Sequence, residues 1–399
     1  MTVQFPLPRT PGCPFDPPPE LSRRAAAAPL SRVLIWDGST PWIVTGHAEQ
    51  RALLADPRVS VDERLPGFPH WNEGMAATVS HRPRSVFNSD APEHTRYRRM
   101  MTSPFTTRRV EAARPVIQRI TDELIGAMLD GPKPADLVAM LALPLPTLMI
   151  SEILGVPYED HDFLQRNAVV GVSRSATPEQ SMESARAMGG HLARLISSRA
   201  ADPRDDLLSE LAQRVRAGEL TAREATQIAT GLMIAGHETS ANMIGLGTLA
   251  LLEHPDQLAV LRHSDDPKAI ANAVEELLRY LTIIHGGQRR IAREDIEIGG
   301  VVIRAGEGII IELASANRDP RAFPEPERLD LYRTAHHHHA FGYGIHQCVG
   351  QQLARVELQV VFGTLFRRVP TLRLATSLDQ VAFKHDRLAY GVYELPVTW

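Results

Sequence analysis

At 399 residues the chain can hold two or three average domains or one large one, and it can bury a large core. A formal net charge of −4 and a pI near 6.5 exclude the basic footprint of a nucleic-acid-binding protein. Two cysteines, Cys13 and Cys348, exclude a disulfide framework, and no apolar run reaches the length of about 18 residues that a membrane span needs. The first 20 residues are a Pro-rich leader without an apolar segment, neither signal peptide nor anchor, and residues 6–19 read as irregular. Cys13 lies in that leader and reads as an incidental thiol.

Residues 33–35 and 42–44 alternate around Asp37-Gly38 and predict two short strands. Residues 47–55 predict a short helix ending near Pro57. Residues 62–88 mix Pro, Gly, His, Trp and Arg with no period and read as a long loop, the kind that usually carries function. Asp90-Ala91-Pro92-Glu93-His94 opens the next helix, with His94 and Arg98 four residues apart on one face. Alone, that face reads as basic and solvated. Residues 108–200 are mostly helical, with breaks expected at Pro132-Lys133-Pro134 and at Pro144-Leu145-Pro146. Residues 169–187 are broken in pattern.

Thr221-Ala222-Arg223-Glu224 is a capping box. The helix it opens runs to Glu253 and should be roughly 50 Å long at about 1.5 Å per residue. Gly231, Gly236, Gly245 and Gly247 lie inside it, each costing roughly 1 kcal/mol relative to Ala. Close approach of a ligand at Gly236 would offset that cost. Leu232, Ala235, Gly236, Thr239 and Met243 share a face. Glu238 and Thr239 place a carboxyl beside a hydroxyl, although a helical Thr often only bonds back to its own backbone. His237 falls one residue off that face.

Asp266-Pro267 starts another helix, which carries Glu276 and Arg279 at i, i+3, by itself an ordinary ion pair. Residues 296–311 alternate around Gly299-Gly300 and Ala305-Gly306 and predict a small sheet. Four consecutive histidines, His336 to His339, cannot all converge on one zinc ion and read as structural. Residues 383–399 read as a hairpin.

The most informative stretch is Phe341-Gly342-Tyr343-Gly344-Ile345-His346-Gln347-Cys348-Val349-Gly350. Three glycines in ten residues imply tight turns against something flat or bulky. Helical periodicity follows from Cys348 through Leu353, Val356, Val360, Leu365 and Phe366. Unpaired N–H groups and the helix dipole favour a thiolate at such a position, either a nucleophile or a metal ligand. The stretch fits Phe-Gly-x-Gly-x-His-x-Cys-x-Gly in full and resembles the cytochrome P-450 superfamily, the haem-thiolate monooxygenases.

That resemblance covers the chain from about residue 13 onward. It implies a mainly α fold with small β-sheets, a triangular prism with haem between a long distal helix and a proximal Cys-bearing helix. Residues 1–20 would be the leader and 21–399 a single domain. It implies haem b (iron protoporphyrin IX) as cofactor, with Cys348 as the iron ligand, which pushes electron density to favour O–O cleavage. Phe341, Gly342 and Gly350 belong to the same cofactor-binding motif, and His346 fits its propionate-binding His. Asp90-x-Pro92-x-His94-x-x-x-Arg98 matches the motif whose His and Arg hold haem propionates, and Arg290 matches a third propionate arginine. Ala235 and Gly236 match the distal motif over the haem, in which Glu238 and Thr239 are the catalytic acid and alcohol. Glu276 and Arg279 match a buried structural pair joined by a later arginine, for which Arg328 is in place. The loop 62–88 would face substrate, and 169–187 would form a lid.

The implied reaction inserts one oxygen atom of dioxygen into a large hydrophobic molecule, with electrons from NAD(P)H through ferredoxin reductase and ferredoxin. The C-terminal residues Tyr393 to Trp399 look like those of actinomycete members that oxidise macrolides, other polyketides and sterol-like molecules. Arg82, Arg84, Leu232, Ala235, Ile283, Ile284 and Val392 are the candidate substrate pocket. As in bacterial members, a cytoplasmic monomer is expected, with no membrane or nucleic-acid partner. Within haem enzymes the alternative is a peroxide-driven peroxygenase, whose members usually lack the acid–alcohol pair. Outside catalysis the alternative is a haem binder or sensor.

Overall fold

The computed structural model describes residues 3–7, 9, 12–81, 83–171 and 177–399. They form two compact units, Met1–Arg96 with Asn272–Val349, and Tyr97–Ala271 with Gly350–Trp399.

Short β-branched runs build the first unit around a six-stranded sheet. Its order is Val3–Gln4, Leu30–Leu34, Trp42–Val44, Gly308–Ile311, Gln288–Ala292 and Val59–Ser60. The expected hairpin is present, with Leu30 opposite Val44 and Gly38 at φ 83° in its turn. Alternation splits the sheet's apolar side chains between two faces. Val44, Ile309 and Ile311 join Leu53 and Leu313 in one cluster, while Val33, Ile35, Ile43 and Ile310 join Phe5 and Leu21 in the other. Phe5 is buried and Val3 pairs with Val33, so the Pro-rich stretch 1–20 contributes a strand to this sheet. The small sheet expected over 296–311 divides. Ile296–Ile298 and Val301–Ile303 form a two-stranded hairpin through Gly299 and Gly300, both at positive φ. Gly308–Ile311 instead joins the six-stranded sheet.

The helix His47–Ala55 has the expected bounds. The stretch 62–88 is not all loop, because Asn72 accepts a hydrogen bond from the Met75 amide at 2.8 Å and opens the helix Glu73–Thr78. One and a half turns are too short to show a period. Glu276 and Arg279 are fully buried and bonded at 2.7 Å. The side chain that joins them is Arg333, whose Nε donates to Glu276 at 3.1 Å, and not Arg328. Arg328 contributes its backbone carbonyl to Arg279, while its side chain is exposed and lies 3.8 Å from Glu325.

The second unit is helical. The proline pair at 144–146 starts the helix Pro144–Leu154 instead of breaking one. Proline fits the first turn because its missing N–H would find no partner there. The capping box at Thr221 is formed, and the long helix Ala222–Glu253 spans 32 residues. Gly236 and Gly247 are sites of close packing against other helices. A Cβ at Gly236 would stand 2.9 Å from Ile150, and one at Gly247 would stand 2.6 Å from the Phe362 ring. The Cβ direction of Gly236 is taken by Ile150 of Pro144–Leu154. The helices His161–Gly171 and Pro178–Arg199 flank residues 172–176, which lie outside the described residues. Near the C-terminus Phe383 bridges Val392, and Pro396–Thr398 pairs with Arg373–Leu374 and Ala135–Asp136.

Candidate active site

Within the first unit the Cys348 loop is shaped by backbone constraints. Gly342 and Gly344 sit at φ 69° and 74°, where a side chain would be strained. A Cβ on Gly344 would also stand 2.1 Å from the Leu54 carbonyl oxygen, so only Gly lets the loop lie on Leu54. The Cys348 amide donates to the Phe341 carbonyl at 2.9 Å and closes the loop, leaving the thiol exposed. The helix expected from Cys348 starts at Gln351, with Gly350 as its N-cap.

The same unit brings His94 and His346 together, with ring centroids 4.2 Å apart and His94 only 2% exposed. Arg290 is buried on Gln288–Ala292. Its guanidinium donates to the Arg289 carbonyl at 2.8 Å and to Gln288 Oε1 at 3.0 Å, and it makes no ion pair among the described residues. Burial draws its pKa down to about 10, with the Asp90 charge opposing only in part. A buried cation without a carboxylate partner is costly. A group carrying its own carboxylates would relieve it through charge-assisted hydrogen bonds. The donor set of Arg290, His94 and His346 together with an exposed thiol thus fits haem. Arg84 pairs with Asp62 at 2.9 Å, and Arg82 lies outside the described residues. Ile283 is buried, and Ile284 packs on the sheet cluster that contains Leu53 and Ile311. Among the described residues no group of three His, Cys, Asp or Glu could hold a metal ion. The histidine run packs instead, with His337 stacked on Phe323 at 4.3 Å and His338 3.2 Å from Glu275.

The second unit carries the acid and the alcohol. Arg98 is half-buried on the helix Glu93–Met101, one turn beyond His94. The long helix is buried on both sides of its centre, but Ala235 is exposed and Gly236 and Thr239 are partly open. Leu232 and Met243, on the same face by spacing, are buried at either end of that opening. The Thr239 hydroxyl donates to the Ala235 carbonyl at 2.8 Å, the helical back-bond anticipated for it. Glu238 is 3% exposed. Burial pushes its carboxyl above the usual carboxylate range, and the charges of Lys384 and Arg387 oppose that shift. His237 is buried too, and neither ring nitrogen has a hydrogen-bond partner among the described residues. Burial and then the Lys384 charge draw its pKa down to about 4, so the ring is neutral at physiological pH. Val392 is buried, 3.3 Å from where a Cβ on Gly245 would lie.

Two features have little or no signal in the sequence alone. Lys384 is buried 3.7 Å from Glu238 across nearly 150 residues of chain. Glu357, inside the apolar run of Gln351–Arg368, accepts a hydrogen bond from Ser240 at 2.7 Å. Only its place between Val356 and Leu358 hints at burial. Among the described residues no helix is long and apolar enough to cross a membrane.

The family model for cytochrome P450 matches residues 268–372. Cytochrome P450 CYP105Q4 of Mycobacterium marinum is 63% identical over 99% of this chain and 96% of its own length. Cytochrome P450 GfsF of Streptomyces halstedii is 58% identical over 99% of this chain and 96% of its own. The crystal structure of GfsF superposes with a TM-score of 0.94, covering 100% of both chains. That of the mycinamicin VIII C21 methyl hydroxylase MycCI from Micromonospora griseorubida, bound to mycinamicin VIII, superposes with a TM-score of 0.93 at 41% identity over 100% of both. Likeness at this level extends well beyond the cysteine loop to nearly every residue of both units, so the chain belongs to the cytochrome P450 family, has its fold, and is a haem-dependent monooxygenase.

Proposed function

We propose that this monooxygenase inserts one oxygen atom of dioxygen into a large, mostly apolar, oxygen-bearing molecule of the polyketide or macrolide class. Its electrons would come from NAD(P)H through a ferredoxin reductase and a ferredoxin. The cofactor would be haem b, with Cys348 on the iron and His94, Arg98, Arg290 and His346 at the propionates. When bound, that haem supplies the activation of dioxygen, with the thiolate as electron donor. The observation that carries the reading is the buried acid beside a partly open hydroxyl at the centre of the long helix.

A general acid needs a pKa near the working pH, and burial moves Glu238 in that direction. Thr239 donates its own proton to the Ala235 carbonyl, which leaves its oxygen lone pairs free to accept. Glu238 would supply protons and Thr239 would position the group or water that carries them. The substrate class rests on the apolar candidates of the second unit, Leu232, Ala235 and Val392, and on a relative that hydroxylates mycinamicin VIII.

Thr239→Ala should leave substrate affinity in a spectral titration nearly unchanged, while reducing equivalents are diverted from product to released peroxide. Equal loss of binding and of product per electron would overturn the relay, and full turnover with peroxide as sole oxidant in the parent protein would replace it with a peroxygenase.

A further inference from the structure

The environment of Glu238 in the second unit is more elaborate than a bare general acid requires. Lys384 Nζ lies 3.7 Å from its carboxyl, and both side chains are less than a tenth exposed. The lysine is held on two further sides. Its ammonium donates to Asn242 Oδ1 at 2.8 Å, and its backbone amide donates to the Gly391 carbonyl at 2.9 Å. Asn242, one turn beyond Glu238, donates in turn to the Ala389 carbonyl at 3.3 Å. A Cβ on Gly391 would lie 2.3 Å from Asn242 Oδ1, so only glycine lets the turn approach the helix this closely. The turn between Phe383 and Val392 is thus docked on the long helix through Asn242, and it delivers one cation to one acid.

We propose that Lys384 is a positioning residue for Glu238, holding its carboxyl in place and setting the pH at which it takes up a proton. This rests on the reading of Glu238 as the acid of the relay. The other groups around the pair are few. Arg387 and Asp386 act on Lys384 with opposite signs, the Tyr393 ring lies 5.8 Å from its ammonium, and His237 adjoins Glu238 in sequence and is neutral. Burial favours the neutral form of both partners, raising the acid and lowering the lysine, so each depends on the other to stay charged. Without the ammonium, burial would act on Glu238 opposed only by the Arg387 charge and a hydrogen bond from Asn242. Val392, a candidate pocket residue, bridges Phe383 beside Lys384, so this one turn serves the pocket wall and the acid together.

The test is Lys384→Met in the full-length holoenzyme, read in two ways. The first is the protonated-carboxyl band in infrared difference spectra across pH, with Glu238→Gln as the blank. Its midpoint should rise by roughly 1–3 pH units in Lys384→Met, as expected for loss of an opposite charge at this distance, and return in Lys384→Arg. The second is the pH profile of product formed per electron, which should move by the same amount. Should Met at 384 prevent folding, Lys384→Gln replaces it. An unmoved carboxyl band would overturn the proposal, as would an effect of Lys384→Met on the profile that persists undiminished in a Glu238→Gln background. Normal product yield in Glu238→Gln alone would instead overturn the relay reading, while the infrared midpoint still decides whether Lys384 governs the acid.

Discussion

Glu357 shows how much one buried side chain can shape the pH response of the fold. It is fully enclosed on Gln351–Arg368, with the Ser240 hydroxyl as its hydrogen-bond donor, and burial pushes its pKa from the usual 4.5 up to about 7, with Ser240 opposing. The folded state therefore keeps a proton that the unfolded chain releases. A raised pKa contributes stability below the unfolded value and loses it as pH rises through the folded value, here from about 4.5 to about 7. The loss is on the order of 3 kcal/mol. Glu357→Gln retains an acceptor for Ser240 and removes the titration. Its thermal midpoint should match the parent at the acid end of that window and exceed it above neutral pH. A parent and variant that fall in parallel across the window would show that Glu357 does not titrate there. Residue-scale chemistry was only partly legible in the sequence. Cys348, His346, Glu238 and Thr239 stand in short motifs, whereas Lys384 meets Glu238 through tertiary structure alone. The partner of the Glu276–Arg279 pair was legible as to kind but not position, since Arg328 and Arg333 lie in one irregular segment and only its path decides which guanidinium turns inward.

At the scale of elements, the long helix reconciles poor helix formers with great length. Gly236, Gly245 and Gly247 each meet a side chain at the distance where a methyl would collide or press. Gly247 is the cleanest case, with Phe362 directly against it and also buried. Gly247→Ala gains up to ~1 kcal/mol of helix propensity. Against that stands an overpacking cost of typically about 1–3 kcal/mol. The variant should be less stable than the parent in denaturant titration, and Phe362→Leu should recover part of the loss in the double variant. A stabilised Gly247→Ala would refute close packing as the reason for glycine there. The same packing logic explains which elements were legible. A capping box and a sustained period identify the long helix, and His47–Ala55 ends where its apolar spacing ends. Glu73–Thr78 is too short for a period, and the prolines at 144–146 were ambiguous because proline both ends helices and begins them.

At the scale of the whole molecule, the negative net charge makes any local basic surface on the second unit a point of contrast for the acidic ferredoxin proposed as electron donor. Not every arginine there is available. Arg367 pairs with Asp265 at 2.7 Å and Arg368 with Asp122 at 2.9 Å, so both carry less field than their sequence positions suggest. Arg355 donates to Gln351 Oε1 at 2.9 Å. The chemistry nonetheless turns on one atom, the sulfur of Cys348, exposed on a loop that two left-handed glycines bend into shape. The most direct measurement is the optical spectrum of the ferrous carbon monoxide complex of the parent and of Cys348→His, each loaded with haem. The parent should show the red-shifted Soret band characteristic of thiolate ligation, and the variant should lose it while retaining haem through Arg290, His94 and His346. A thiolate-type band that survives in Cys348→His, or that is missing from the haem-loaded parent, would contradict the account.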